Sequence, residues 1–235
     1  MIGNFERVRA LWANPRMLVI GGVRSGIGSE LRFVDVNART LVGTAGLPAA
    51  AYALVGVNDS DVAAGCGDGV VRVFDAATGA LKSQLAVSPG VPVLALAVLP
   101  AAGAALACCV CGCADGTVRV VEAGASAVRV RALSAQPIRA LAARIGEDGA
   151  RQVFAAGDDG LVRGFSLDDA DGPAREMAGH DGPVLSLALL PARDGRLASG
   201  GDDGTIRFWY LTGAVEHERK GNDADAHQGP VQALL

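Results

Sequence analysis

Apolar residues in this chain gather in short runs punctuated by glycine, proline and aspartate, the pattern of strands and tight turns. Runs such as Val71-Arg72-Val73-Phe74 are apolar at nearly every position instead of alternating, which predicts strands covered on both faces. In the clearest segment, 184–190, 196–199 and 205–211 read as three successive strands, with a turn at 191–195 and a weaker fourth strand afterwards. Alanines over 95–107 favour helix locally, but the prolines, the turn glycines and the repeat described below override that weak propensity. No charge occurs between Lys82 and Asp115, long enough on length alone for a membrane-spanning helix; Pro89, Pro92, Pro100 and Gly103 break it, predicting two strands joined by a turn.

The runs repeat. DGVVRVF from Asp68, DGTVRVV from Asp115, DGLVRGF from Asp159 and DGTIRFW from Asp203 are versions of one phrase, and GSELRFV from Gly28 is a degenerate fifth. Arg32, Arg72, Arg119, Arg163 and Arg207 mark the period, in steps of 40, 47, 44 and 44 residues. Short antiparallel strands repeating every ~40–45 residues predict an all-β fold, a β-propeller of four-stranded blades. The blades fall at about 7–46, 50–87, 91–134, 137–179 and 183–221 of a single domain spanning 1–235, with the first strand of a sixth at 229–235. The turns between second and third strands are expected at Asp68-Gly69, Asp115-Gly116, Asp159-Gly160 and Asp203-Gly204. There glycine reaches positive φ and aspartate bonds its own turn backbone.

These repeats resemble the WD-repeat family, most clearly in Gly179-His180, Ser199, Asp203 and Trp209. The resemblance implies that His180, Asp203, Ser199 and Trp209 form a hydrogen-bonded chain inside the blade, structural and not catalytic. That assignment suits a buried aspartate that needs donors, a histidine that donates and accepts, and an indole that only donates. Other units depart from the pattern, with Val34, Phe74, Val121 and Phe165 at the tryptophan position; His227 is a partial second example of the histidine. WD propellers usually have more blades, so a longer parent chain, a permuted closure, self-association, or a partner that completes the propeller all stay open. An uncovered sheet face is a liability in a monomer. The resemblance further implies a non-catalytic scaffold for protein–protein interaction and complex assembly. Arg24, Asp158, Asp181 and Asp202, beside the turns, are the candidate partner-binding residues.

Composition narrows the partners. Twenty-one basic and 25 acidic residues, scattered through the chain for a net charge of −4, give no basic footprint, so nucleic acid and anionic lipid are not expected partners. The amino terminus lacks a basic lead and apolar run, and Ile2 excludes a myristoylated glycine, which predicts an intracellular address, cytoplasmic or nuclear. Five cysteines suit reduced thiols. Cys109, Cys111 and Cys113 alternate onto one strand face with Cys108 on the other, and Cys66 stands where Cys113 does; packing is the expected role, with no metal. Asp168, Asp169 and Asp171 lack the later glutamate of a calcium loop and read as a solvated turn.

The rival reading is an NAD(P)-dependent oxidoreductase using the glycine-rich segment 21–28 as a phosphate loop. Against it, LRFVDV continues as a strand, Asp35 follows too soon for a βαβ unit, and neither Tyr52 nor Tyr210 has a lysine four residues on. G-x-S-x-G, H-E-x-x-H and P-loop motifs are absent, so neither a cofactor nor a catalytic residue is expected.

Overall fold

Nineteen strands and no helix form among the described residues, which are 5–101, 107–122, 127–169, 172–190, 195–211 and 229–234 of the computed structural model. The first sheet is β1 (Arg7–Ala13), β2 (Met17–Arg24), β3 (Gly28–Asp35) and β4 (Thr40–Leu47); the second is β5 (Ala51–Gly56), β6 (Asp61–Cys66), β7 (Val70–Asp75) and β8 (Leu81–Ala86). The third comprises β9 (Val93–Leu99), β10 (Cys108–Cys113), β11 (Thr117–Glu122) and β12 (Val128–Ala132), and the fourth β13 (Ile138–Ile145), β14 (Arg151–Gly157), β15 (Val162–Ser166) and β16 (Arg175–Met177). In each of these four, sequence neighbours pair in order, as propeller blades do. The fifth shows β17 (Val184–Leu190), β18 (Arg196–Gly201) and β19 (Ile206–Tyr210). The expected fourth strand there, together with Pro191, Asp171 and His227, lies outside the described residues.

Within the uncharged stretch β9 and β10 pair, with Cys109 opposite Val98, so Ala95 and Ala97 serve a strand. No helix of the described residues is long and apolar enough to cross a membrane. The glycine-rich segment does not form a phosphate loop. It is the β2–β3 hairpin, Arg24 pairing with Gly28 and Gly21 with Leu31, and Gly26 and Gly28 have φ of 74° and 93° to close its turn. A pyrophosphate cradle needs a helix amino terminus after the glycines, and here a strand follows.

Two compact units result. The first gathers the first two sheets and most of the third; the second holds the Asp115 turn, the residues from Val130 on, and the fourth and fifth sheets. In the first unit, Val19, Leu31 and Phe33 pack against Val62, Ala64 and Phe74 between sheets one and two. Ala63, Val71 and Val87 meet Val93, Cys111 and Cys113 between sheets two and three. In the second unit, Phe154, Ala156 and Val162 pack on Val184, Leu197 and Leu187. Middle strands β6, β10 and β14 are therefore buried on both faces, which is why their sequences do not alternate.

Small residues on the second strand let the following segment of chain approach. A Cβ on Gly65 would lie 2.7 Å from Val93, and one on Gly200 would lie 2.5 Å from Val231. Residues 229–234 form no strand ladder. Even so, the Val231 N–H donates to the Gly201 carbonyl at 2.9 Å and Ser186 Oγ donates to the Val231 carbonyl at 3.1 Å, which seats Val231 over the fifth sheet.

Candidate functional site

The turn between second and third strands is the most regular feature of the chain. Gly69, Gly116, Gly160 and Gly204 take φ of 80°, 77°, 75° and 73°. The N–H of Gly69 donates to Cys66, that of Gly160 to Gly157 and that of Gly204 to Gly201, at 3.1–3.2 Å, a tight turn closed by a left-handed residue. Space as well as φ demands glycine: a Cβ on Gly69 would lie 1.8 Å from the Ser88 carbonyl oxygen. Each aspartate accepts the N–H two residues on through Oδ1: Asp68 from Val70, Asp115 from Thr117, Asp159 from Leu161 and Asp203 from Thr205, at 3.0–3.2 Å.

What then satisfies the rest of each carboxylate differs by blade. In the fifth sheet, His180 Nδ1 lies 3.0 Å from Asp203 Oδ2, His180 Nε2 lies 2.7 Å from Ser199 Oγ, and Trp209 Nε1 donates to Ser199 Oγ at 2.8 Å. One proton arrangement serves every atom: the indole donates to the serine, the serine to Nε2, and Nδ1–H to the aspartate. The His180 side chain is fully buried, so the relay faces inward. Burial pushes the Asp203 carboxyl up, but donation from the N–H groups of Asp181 and Thr205, the Thr205 hydroxyl and His180 outweighs it and holds the group far below the usual carboxylate range.

In two blades without the histidine, arginine takes its place. Arg72 grips Asp68 with two hydrogen bonds, 3.1 and 2.7 Å, and Arg163 bonds Asp159 while its Nε donates to Glu176 at 2.8 Å. Ser134 also donates to Asp159, at 2.7 Å. In the first sheet, which lacks the aspartate, Glu30 on the strand itself receives Arg32 at 2.8 Å. Arg32, Arg72, Arg163 and Arg207 are all buried. In the fifth sheet Arg207 stands 3.9 Å from Asp203, whose carboxylate is engaged by His180. An arginine on the third strand, four residues after the turn aspartate, recurs in the sequence, but that spacing alone does not show the side chain folding back onto the carboxylate.

The candidate contact residues separate. Asp181 and Asp202 flank the same turn, both exposed; the Asp181 N–H donates to Asp203 and the Asp202 N–H to the Pro183 carbonyl. Asp158 holds the matching position one turn earlier, but its carboxylate is gripped by Arg139 at 2.7 and 2.8 Å. Arg24, in the first unit, is one-third exposed, and its guanidinium stands 3.5 Å from Glu30.

A second set of candidate contact residues carries no sequence signal. The first strand of each of the five sheets shifts register across one residue, at Arg9, Tyr52, Leu94, Arg139 and Leu185. Such bulges turn a side chain out of the pleat, often beside a binding site. Arg9 and Tyr52 meet there, the guanidinium carbon 5.1 Å from the ring centre. An irregular pairing register has no local sequence mark, so nothing in the chain announced it.

Residues 172–210 match the WD domain, G-beta repeat family. A 65-residue stretch, 28% of the chain, is 38% identical to the Polycomb protein EED of Chaetomium thermophilum and spans 11% of that protein's length. The whole chain superimposes on 68% of the crystal structure of the computationally designed Ika8 protein, with a TM-score of 0.71 at 24% identity, a likeness of fold.

Proposed function

With a WD repeat at residues 172–210 set in a run of propeller blades as the premise, we propose that the chain is a non-catalytic scaffold that holds other proteins. The observation that carries this reading is the inward commitment of its reactive side chains. His180 is fully buried and joined to Asp203 and Ser199, and the described turn aspartates are engaged by their own turns. Structural satisfaction of this kind leaves rigid turns whose flanking residues are free to vary, which is how interaction surfaces sit on a repeat scaffold. The exposed carboxylates of Asp181 and Asp202 present a negative edge, and basic or hydrogen-bond-donating partner groups complement it. On the first unit, the exposed Arg9 over Tyr52 offers a rigid cationic and aromatic contact of the kind that anchors interfaces.

A photo-crosslinking residue placed at position 202, compared with one at the exposed Leu41 of β4, tests this in the native cell. A discrete protein adduct from position 202, and none from position 41, supports the scaffold. Adducts of equal yield from both, or from neither, count against it. The nicotinamide reading is tested separately: NAD and NADP are expected to leave the melting temperature unchanged, since a ligand that binds only the folded state raises it.

A further inference from the structure

The interface between sheets one and two and the interface between sheets two and three use the same repeat positions but are filled differently. One residue after the strand arginine, Phe33 reaches from the first sheet toward the second; two residues after the next arginine, Phe74 reaches back. Both rings are buried, with centroids 5.9 Å apart. The same two positions across the following interface are Val73 and Val121, each several carbons smaller. A cavity of about 490 Å³ opens there, lined among others by Val73, Leu85, Cys109 and Val121, with Gln84 and Glu122 among its few polar side chains. All of these belong to the first unit.

From this geometry we propose that the cavity is a binding site for a small bicyclic aromatic molecule carrying an N–H or O–H group. Its volume lies in the range of small-molecule pockets, roughly 300–1,000 Å³. An apolar cavity of only ~150 Å³ already admits benzene, so two fused rings fit this one. The shape of the guest follows from the neighbouring interface, where the chain's own pair of rings occupies the corresponding space. Apolar walls of valine and leucine supply the contact; the Gln84 amide oxygen, and the Glu122 carboxylate beside the bond it already accepts from Arg129 at 2.7 Å, favour a guest that donates. The site is independent of the scaffold reading, because the turns that carry the latter take no part in it.

Cys109 makes the site measurable, since it is half-buried while Cys66, Cys108, Cys111 and Cys113 are buried. Alkylation of Cys109 by iodoacetamide is followed by mass spectrometry with indole as the probe guest. At indole about ten times its Kd, the rate is expected to fall about tenfold, the occupancy factor for one site. Val73→Phe with Val121→Phe restores the ring pair, and is expected to abolish that protection and raise the melting temperature. If the double substitution gives no cooperative melt, Val121→Leu alone is read in the same way and is expected to weaken protection in proportion to the space filled. An alkylation rate unchanged by indole, or equal protection in wild-type and filled proteins, overturns the proposal.

Discussion

Ser199 shows how much one buried hydroxyl decides. It is fully buried, accepts from Trp209 and joins His180, so each substitution around it strands a different atom. Trp209→Phe keeps an aromatic ring but loses the indole N–H and part of the packed bicycle, and is expected to cost about 1–3 kcal/mol in urea unfolding; His180→Ala leaves Ser199 and Asp203 both short of a partner and is expected to cost about 2–4 kcal/mol. Asp203 adds a pH signature. Its folded-state pKa is depressed, so its stabilising contribution is fully present above the unfolded value of about 3.9 and is lost as pH falls from there toward the folded value. Asp203→Asn is expected to lower stability at pH 7 and to flatten the loss of stability below pH ~4, compared with the parent. An unchanged acid limb in the variant would mean that the carboxylate is not the group being titrated. The four members of this relay were legible as residues from the repeat signature; the direction of each hydrogen bond required the geometry.

At the level of the hairpin, the turn glycines are not equivalent to other glycines of the same φ. Gly69→Ala drives a Cβ to 1.8 Å from a carbonyl oxygen, whereas Gly26, at φ 74°, has nothing within 4 Å of the same atom. Gly26→Ala is therefore expected to cost only the left-handed strain, about 1–2 kcal/mol, and Gly69→Ala distinctly more, measured by thermal or urea unfolding. The Asp68–Arg72 pair is the second element-level device. The two hydrogen bonds from Arg72 hold the Asp68 carboxyl below its ordinary range, and Arg72 is buried while Asp68 is partly exposed. Removing one partner alone, as in Asp68→Ala, is expected to cost about 2 kcal/mol, less than a fully buried pair because water still reaches the carboxylate. The double variant Asp68→Ala/Arg72→Met is expected to cost less than the two single losses combined, since neither charge is then left stranded. Sequence showed where these turns lie, because Asp-Gly has a fixed local chemistry. It did not show that arginine stands in for the missing histidines, because that depends on a side chain folding back across the turn.

Across the whole chain, the fold was legible because a period written five times constrains every unit at once, and alanine-rich stretches that would locally choose helix became β9 and β13 instead. Of the candidate contact residues chosen from the repeat, Asp181 and Asp202 are the two aspartates that the structure leaves exposed with no ion pair among the described residues. Asp158, identical in repeat position to Asp202, is engaged by Arg139 in the bulge of β13, and no sequence rule places a bulge. On the scaffold proposal, the exposed edge of the WD repeat, and not a reaction, is the working part of the chain. This is tested most directly by affinity purification from the native source, at matched abundance, of the wild-type chain and of Asp181→Arg/Asp202→Arg. Both side chains are exposed, so the melting temperature is expected to stay the same. The wild type is expected to retain a protein partner in near-stoichiometric amount and the doubly charge-reversed chain to lose most of it; equal retention by both, or no partner with either, would overturn the scaffold proposal.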